Sequence, residues 1–534
     1  MNTINASIRK LTTLFIALFI ALSAGLVYWQ VVVARQVTAN VHNSRPCLTG
    51  NAPIRGRIFD RNGVLLADNI PTQGGCGYLR RYYEPSLAGL IGYYISPLYA
   101  STGIEHSYDA YLSGRLGKTA LDNTINQTLH RPTVGDDIYL TIDVRIQRIV
   151  DHYFDEPIRI DYNTTYPSDR GAVIVTDPRS GEILAMLSRP GFDPNKLVST
   201  ISKGDLTYYK QLVADPEQPL LERPLQGRYV PGSTYKTMTL IAGLDSNKTT
   251  LDQPFDRQHA VGPVFLSGQA FGPIGNNIQD YTRFFPVTAE YGYAHSDNVI
   301  FAQIGVETGA STWLDYNRRF YVGQSIPFDL PVEPSIVLPN GQSSLADNQL
   351  GADAFGQGTD FVTPMQMSLI DDAVANSNGQ VMQPMLVTKI VDSSHSPIQT
   401  NNSQPLGPQQ MSAQTATEVR QSMYGVVRCG SGSVPEVKFI NSPWGIIGKT
   451  GTAELGSGKP PHSWLITQAP YSITNPSQTP VLTIVAMKEN GGEGGSVVGP
   501  MIADMYNDIF TNVMNIPAPA PPDPNYCLVT KLTQ

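Results

Sequence analysis

A serine and a lysine three residues apart form the most reactive combination in this sequence. Ser233 follows Pro231 and Gly232, and Lys236 precedes an apolar run. The Pro-Gly pair and the apolar residues after it predict a helix that begins at or just after Ser233. Side chains three residues apart leave the same face of a helix, so the amine can take the proton of the hydroxyl. The spacing predicts a nucleophilic serine with a lysine as its base.

Such a pair needs further support before it indicates an active site. A lysine is a base at neutral pH only if burial or a second cation lowers its pKa. An isolated Ser-x-x-Lys is more often a solvated helix start in which the serine is the N-cap. The ordinary interpretation of the motif alone is therefore structural.

Two further motifs change that interpretation. Ser296 and Asn298 flank Asp297, and Lys449 begins a Lys-Thr-Gly sequence later in the chain. Alone, the first motif is typical of a loop or helix cap and the second of a polar strand end. The three motifs together, in this order, form the signature of penicillin-binding proteins and class A β-lactamases. The sequence therefore resembles the penicillin-recognising serine acyltransferases.

Other stretches resemble class B penicillin-binding proteins in particular. They are residues 53–67, 103–109, 140–147 and 171–195. The resemblance implies an α+β fold: a transpeptidase domain with an antiparallel sheet covered by helices, an extended N-terminal pedestal and one transmembrane helix. A class A protein would carry a glycosyltransferase domain before the transpeptidase, but pedestal-like motifs already occupy that part of the chain.

The expected domain boundaries follow from these stretches. We expect a cytoplasmic tail over 1–10, a transmembrane anchor over 11–34, a non-catalytic pedestal over 35–168 and a transpeptidase domain over 169–515. A Pro-rich C-terminal tail is expected over 516–534, with residues 517–524 extended. Strand patterns support the α+β expectation. Two apolar runs around the Pro178–Gly181 turn predict a hairpin, and residues 463–467 and 481–487 predict two more strands.

The resemblance implies a role for each motif residue. Ser233 is expected to be the nucleophile, and Lys236 its base. Ser296 relays a proton to the leaving amine, and Asn298 binds the substrate amide. Lys449 is expected to help keep Lys236 neutral by its charge and to attract the carboxylate of a peptide. Substrate binding is further expected at the residues that follow Lys449 at the end of a predicted strand: Thr450, Gly451 and Thr452. The oxyanion hole would be formed by the main-chain amides of Ser233 and Thr452.

Residues 11–34 are almost wholly apolar and are long enough to cross a membrane as a helix. Arg9 and Lys10 precede them, and Tyr28 and Trp29 lie near their far end, as interfacial aromatic residues often do. We expect a single-pass protein with a cytoplasmic N-terminus and an extracytoplasmic catalytic domain. The alternative is a cleaved signal peptide, but the apolar run is long for one.

Composition excludes several other classes. The net charge of −8 argues against nucleic acid as a partner. The sequence contains no dinucleotide or phosphate-loop motif and only scattered histidines, so we expect no cofactor and no metal. Cys47, Cys76, Cys429 and Cys527 allow three pairings if they form two disulfides, and the sequence does not select one.

The implied reaction is peptidoglycan cross-linking. The D-alanyl-D-alanine end of a stem peptide would acylate Ser233, and β-lactams would acylate it as substrate mimics. Alternatives are a D,D-carboxypeptidase on the same substrate, or a non-enzymatic penicillin-binding scaffold or sensor. A class A β-lactamase is disfavoured because its Glu-x-x-x-Asn stretch is absent between the second and third motifs. The resemblance also implies a polytopic lipid-II polymerase as partner.

Overall fold

A computed structural model of the protein describes residues 2–29, 54–72, 78–95, 101–116, 134–156, 158–159, 165–166, 169–272, 284–339, 341–434, 437–456, 458–519 and 525–532. The α-helices are Asn2–Val27, Ala88–Ile91, Gly103–Ser107, Asp109–Leu112, Val144–Asp155, Pro194–Ser202, Thr207–Ala214, Arg223–Gln226, Lys236–Asp245, Arg257–Val261, Ala289–Ala294, Asn298–Thr308, Ala310–Arg319, Asp347–Asp353, Pro364–Ala375, Ala413–Arg428, Gly494–Asp508 and Tyr526–Val529. Short 3₁₀ turns span Pro85–Leu87, Gly232–Tyr235 and Phe439–Asn441, and a π-helical stretch spans Ile509–Met514.

A five-stranded antiparallel sheet forms the centre of the larger part of the molecule. Its strands, in spatial order, are Ile447–Ala453, His462–Ala469, Leu482–Lys488, Gly171–Asp177 and Glu182–Arg189. The predicted hairpin and the two further predicted strands are therefore confirmed. Because strands from both ends of this region pair, the intervening chain must return across the sheet as helices and loops.

Alternate residues of the strand Gly171–Asp177 point into two separate cores. Ile174 belongs to the core on one face, together with residues of the helix Lys236–Asp245. Val173 and Val175 belong to the other core, which includes residues of the helix Gly494–Asp508. This alternation is the period of two that a β-strand imposes. The sheet is thus covered by helices on both faces, as the α+β prediction required.

A six-stranded sheet forms the second unit. Its strands, in spatial order, are Pro397–Thr400, Val387–Val391, Asp137–Leu140, Ile58–Phe59, Leu65–Pro71 and Tyr78–Tyr82. The pair Ile58–Phe59 and Asp137–Leu140 is parallel and the other pairs are antiparallel. The strands Val387–Val391 and Pro397–Thr400 come from late in the chain, whereas the other four strands of this sheet come from the first third of the chain. The remaining strands form separate two-stranded antiparallel sheets: Ile158–Arg159 with Thr165–Tyr166, Pro254–Phe255 with Val287–Thr288, and Val264–Leu266 with Gln269–Phe271.

Buried ion pairs and hydrogen bonds join the stretches that the sequence analysis singled out before the transpeptidase region. Glu105 is fully buried, and its carboxylate accepts from Arg55 Nε at 2.5 Å and from Arg80 Nε at 2.6 Å. Asp60 accepts from the main-chain amide of Val144 at 3.2 Å. Such contacts satisfy charges that would be costly to bury alone.

The N-terminal helix Asn2–Val27 contains a candidate membrane span over Ile8–Val27, with a mean hydropathy of 2.0 and no buried residues. Its length and composition fit a membrane crossing. Tyr28 and Trp29 follow it directly. The predicted anchor 11–34 coincides with this helix as far as Val27, and residues 30–34 lie outside the described residues.

Cys429 and Cys527 form a disulfide. Cys47 and Cys76 lie outside the described residues. The disulfide holds the C-terminal segment (residues 525–532), which contains the helix Tyr526–Val529. Leu532 is fully buried. The stretch 525–532 of the predicted C-terminal tail therefore packs against the rest of the molecule.

Candidate active site

Ser233 lies in a tight turn that presents it to the adjacent lysine. The turn Gly232–Tyr235 is a 3₁₀-helix, and the α-helix begins only at Lys236. The prediction of a helix here is confirmed, with this difference in its first turn. In a 3₁₀-helix side chains three residues apart are eclipsed. Ser233 Oγ and Lys236 Nζ accordingly lie 3.0 Å apart.

The conformation of this turn depends on Gly232, whose φ is +56°. A Cβ there would lie 2.7 Å from the carbonyl oxygen of Thr452. The amide of Gly232 donates to the carbonyl of Gly356 at 2.9 Å. Gly356 belongs to the Gly-Gln-Gly stretch 356–358, and a Cβ on it would lie 2.0 Å from the carbonyl oxygen of Gly232. These close approaches place the serine turn between that stretch and the strand carrying the third motif.

The second motif surrounds the amine of Lys236. The Nζ of this buried lysine lies 2.6 Å from the carbonyl oxygen of Ser296 and 2.7 Å from Oδ1 of Asn298. Burial lowers the pKa of Lys236 to about 7, although the charge of Asp297 opposes the shift. A neutral amine has two hydrogens and one lone pair. With the hydrogens donated to the two oxygens, the lone pair is left for the proton of Ser233.

Ser296 lies between the two lysines. Its Oγ is 2.9 Å from Lys449 Nζ and 3.2 Å from Lys236 Nζ. Its φ is +61°, an uncommon conformation for a residue with a Cβ. Asp297 follows as N-cap of the helix Asn298–Thr308 and accepts from the amide of Ile300 at 3.0 Å. The cap fixes the helix start, so the loop can hold Ser296 in this conformation.

Lys449 is fully buried on the strand Ile447–Ala453. Burial, and secondly the charge of Lys236, lowers its pKa well below the usual value. Burial is the cause of the lowered pKa of Lys236 as well. The role that the sequence analysis gave to the charge of Lys449, keeping Lys236 neutral, stays a prediction.

The strand Ile447–Ala453 forms one edge of the five-stranded sheet. An edge strand has unpaired main-chain groups with which an extended peptide can pair. Thr450 Oγ1 lies 2.7 Å from Ser431 Oγ, and Thr452 Oγ1 accepts from the amide of Gly494 at 3.1 Å. A Cβ on Gly451 would lie 2.7 Å from Cγ2 of Thr234. The strand therefore packs directly on the serine turn.

The structure thus brings the predicted site residues together from three distant parts of the sequence. Ser233, Lys236, Ser296, Asn298 and Lys449 are joined by hydrogen bonds. Thr450, Gly451 and Thr452 continue along the edge strand. The sequence analysis missed Ser431, which belongs to none of the three motifs. In the part of the chain that the structure describes, no three His, Cys, Asp or Glu side chains cluster as metal ligands would.

This arrangement can carry out acyl transfer. A half-buried hydroxyl faces an amine that is partly neutral near pH 7. A second hydroxyl lies where it can pass a proton. An edge strand alongside offers a place for an extended acyl donor. A binding surface without chemistry would not need two buried lysines on either side of one serine.

The family model for the penicillin-binding protein transpeptidase domain matches residues 171–509, and the model for the penicillin-binding protein A dimerisation domain matches residues 55–138. The peptidoglycan D,D-transpeptidase PbpA of Mycobacterium tuberculosis is 29% identical over 511 residues, which cover 93% of this chain and 96% of the relative. The D,D-transpeptidase MrdA of Escherichia coli is 27% identical over 504 residues, covering 83% of this chain and 73% of the relative.

Solved structures agree in fold. The penicillin G acyl-enzyme complex of penicillin-binding protein A from M. tuberculosis has a TM-score of 0.73 and 27% identity, covering 85% of this chain and 99% of that chain. Its imipenem acyl-enzyme complex has a TM-score of 0.71 and covers 86% of this chain. Since the transpeptidase model matches more than half of the sequence, the chain belongs to the penicillin-binding protein transpeptidase family.

Proposed function

We propose that this chain is a membrane-anchored peptidoglycan D,D-transpeptidase that works through an acyl-enzyme on Ser233. The observation that carries the proposal is the 3.0 Å contact between Ser233 Oγ and Lys236 Nζ, at a lysine whose pKa burial lowers to about 7. Relatives named peptidoglycan D,D-transpeptidases match most of the chain. The substrate is then a stem peptide ending in D-alanyl-D-alanine.

In the acylation step, Ser233 Oγ attacks the carbonyl carbon of the penultimate D-alanine as its proton moves to Lys236 Nζ. The negative charge on the carbonyl oxygen is stabilised by the main-chain amides of Ser233 and Thr452. The C–N bond then breaks. The leaving amine takes its proton from Ser296 Oγ, which is replenished from Lys236 at 3.2 Å. The net result is an ester on Ser233 and free D-alanine.

In the second step, a side-chain amine of a neighbouring stem attacks the ester. Lys236, neutral again, accepts the proton of the attacking amine and returns it to Ser233 Oγ as the C–O bond breaks. The product is a peptide cross-link. Water in place of the amine would give carboxypeptidase action, with the same bonds broken on the enzyme.

Substrate binding is assigned to Asn298 and to the third motif. The terminal carboxylate is bound by Thr450, Thr452 and Lys449, and Asn298 contacts the substrate amide. Lys449 has a lowered pKa without substrate because it is buried. An incoming carboxylate favours its charged form and raises that pKa. Binding of the carboxylate is therefore coupled to protonation of Lys449.

Residues 169–515 are proposed as the transpeptidase domain and 35–168 as the pedestal, with the strands Val387–Val391 and Pro397–Thr400 fastening the two together. The exposed apolar span Ile8–Val27 supports anchoring. Arg9 and Lys10 favour a cytoplasmic N-terminus by the positive-inside rule. A polytopic lipid-II polymerase is proposed as the partner in the membrane, on family resemblance. Labelling of cysteines introduced before and after the helix in intact cells tests the orientation.

Intact-protein mass spectrometry of the full-length protein in detergent tests the acyl-enzyme. Incubation with penicillin G should add one drug mass to the wild type and none to Ser233→Ala. Ser202→Ala is the matched control, since Ser202 is exposed at the end of another helix. Drug consumed without an adduct would indicate a hydrolase, and drug left unchanged would indicate a non-enzymatic scaffold.

A second assay separates transpeptidase from carboxypeptidase. A stem peptide ending in D-alanyl-D-alanine is incubated with the enzyme and an excess of a second stem peptide bearing a free side-chain amine. Formation of the dimer by the wild type, and not by Ser233→Ala, supports cross-linking. Release of D-alanine without dimer at all amine concentrations would identify a carboxypeptidase.

A further inference from the structure

The C-terminal segment (525–532) lies against the wall of the cleft that carries Ser296. Its disulfide joins Cys527 to Cys429, at the end of the helix Ala413–Arg428. Tyr526 packs edge-on against Tyr424, with ring centroids 4.7 Å apart. Leu532 is fully buried and lies against Gly425, where a Cβ would be 3.0 Å from Leu532 Cδ1. The segment is therefore fixed both covalently and by packing.

One hydrogen bond connects this segment to the loop of the second motif. Nε2 of His295 lies 2.8 Å from the carbonyl oxygen of Leu532. A carbonyl only accepts, so Nε2 carries the hydrogen and donates it. The imidazole is buried and packs at a tilt against the ring of Tyr291, with ring centroids 4.2 Å apart. The ring of His295 is thus held from two sides.

His295 directly precedes Ser296, and the peptide between them is rigid. The left-handed conformation of Ser296 directs its carbonyl oxygen to Lys236 Nζ at 2.6 Å. A displacement of the His295 main chain would therefore carry Ser296 with it, and would move both the Ser296 carbonyl and Ser296 Oγ away from the lysines. A conformation that is costly for a non-glycine residue persists only when its surroundings fix it.

The turn after Cys429 holds the same loop from the other side. The amide of Ser431 donates to the carbonyl of Ala294 at 2.9 Å. A Cβ on Gly430 would lie only 1.9 Å from that oxygen, so the two main chains are in direct contact. Ser431 Oγ also reaches Thr450 Oγ1. The disulfide thus joins the C-terminal segment to a turn that touches both the second and the third motif.

We propose that the C-terminal segment is a positioning element of the active site: the Leu532 carbonyl acts through His295, and the Cys429–Cys527 disulfide acts through Ser431, to hold Ser296 against Lys236. His295 is a positioning residue, since it acts on the reaction through Ser296. The proposal rests on the proposed acyl-transfer function. In addition to the three motifs, efficient acylation would then require the C-terminal segment, which is far from all of them in sequence.

The test measures acylation by a fluorescent penicillin on full-length protein in detergent, across pH. In His295→Ala the acylation rate constant should fall about tenfold, because the base and proton relay are displaced. The acid-side pH midpoint should move to lower pH, because Lys236 loses an acceptor that favours its charged form. His295→Gln retains a donor near Nε2 and should restore most of the rate. His152→Ala, on an exposed histidine, is the matched control.

A second variant covers the case in which His295→Ala does not fold. Cys429→Ser combined with Cys527→Ser removes the covalent tether and leaves His295 in place. It should slow acylation about threefold, with the same direction of change in the pH midpoint, because the packing of Leu532 is retained but less firmly held.

The outcomes separate the two proposals. A wild type that is not acylated overturns the proposed function itself. If the wild type is acylated and the folded variants match it in rate and pH midpoint, only the positioning role is overturned. A loss that follows the fraction of folded protein, with an unchanged pH midpoint, also overturns it, since that loss is purely structural.

Discussion

The cluster around Glu105 and the active-site cleft treat buried charge in opposite ways. Next to the six-stranded sheet, the buried carboxylate of Glu105 is held between Arg55 and Arg80. Burial acts to raise the pKa of Glu105, but the two guanidinium groups lower it below its usual value. In the cleft, Lys236 and Lys449 are buried just as deeply, and their hydrogen bonds go to neutral serine, asparagine and main-chain oxygens.

This difference separates charge used for stability from charge used for chemistry. An ion buried with its counter-ions stays charged and holds chain segments together. A lysine buried among neutral oxygens loses its proton easily and becomes a base near neutral pH. Substitution in the two places should therefore affect different properties, the free energy of unfolding in one and the acylation rate in the other.

The largest effect is expected at Lys236. Lys236→Met should lower the second-order rate constant of acylation by about a thousandfold, because general-base catalysis is lost. The free energy of unfolding at pH 7 should not decrease, since an apolar side chain replaces a poorly solvated amine. Lys196→Met, on an exposed helix position, is the matched control. If Lys236→Met lowered the free energy of unfolding but left acylation of the folded protein normal, Lys236 would serve stability and not chemistry.

Glu105→Gln should give the opposite result. Two buried arginines lose a shared counter-ion, and the free energy of unfolding should fall by about 3–5 kcal/mol in urea titrations. Acylation by the protein that remains folded should be unchanged, because the carboxylate lies outside the cleft. Asp315→Asn breaks the pair with Arg319, in which both side chains are solvent-exposed, and should cost less than about 1 kcal/mol. Equal losses in both variants would contradict the assignment.

The local part of this contrast could be predicted from the sequence, and the non-local part could not. Ser233 and Lys236 are three residues apart, so helical geometry alone brings them together. The partnership of Glu105 with Arg55 spans 50 residues, and that of His295 with Leu532 spans 237. Neither leaves a periodic pattern. The family resemblance grouped the three motifs, but it did not identify the distant residues whose contacts hold the motifs in position.

Strand patterns show the same limit. Alternation and turn residues predicted the hairpin of Gly171–Asp177 and Glu182–Arg189, because both strands and their turn are contiguous. Nothing local in Val387–Val391 indicates that it pairs with Asp137–Leu140 in the other sheet. The disulfide was likewise one of three possible pairings. The fold class was predictable, whereas contacts between distant segments required the structure.

The pH dependence of acylation tests the state of the lysine directly. Because burial lowers the pKa of Lys236 to about 7, the acylation rate should rise as pH increases through that value and level off above it. Rates measured with saturating fluorescent penicillin from pH 5 to 9 check this. A rate that rises only towards pH 10 would mean that Lys236 keeps its ordinary pKa.

Stability should depend on the same group. Between about pH 7 and its ordinary pKa of 10.5, Lys236 is protonated in the unfolded chain and neutral in the folded one. The unfolded state then binds more protons, so the free energy of unfolding rises with pH by at most about 1.4 kcal/mol per unit. Urea titrations of wild type and Lys236→Met should show the steeper rise in the wild type. Equal slopes would exclude this contribution.

The smallest expected effect is at Ser431, where the cleft depends on one neutral hydrogen bond. Ser431→Ala removes the 2.7 Å contact with Thr450 Oγ1, and acylation at low penicillin concentration should slow about threefold, the equivalent of one hydrogen bond. The change should appear in apparent affinity, because Thr450 is proposed to bind the carboxylate. Ser431→Thr keeps a hydroxyl and should restore the apparent affinity for penicillin.

Ser433→Ala is the matched control for this prediction. Ser433 Oγ bonds to the carbonyl of Gly430 within the same turn and leaves Thr450 untouched. If both alanine variants weaken affinity equally, the turn acts by its overall conformation and the hydroxyl of Ser431 has no separate role. If only Ser431→Ala weakens affinity, the neutral hydrogen bond from Ser431 holds Thr450 in position in the cleft, as ion pairs hold the chain segments around Glu105.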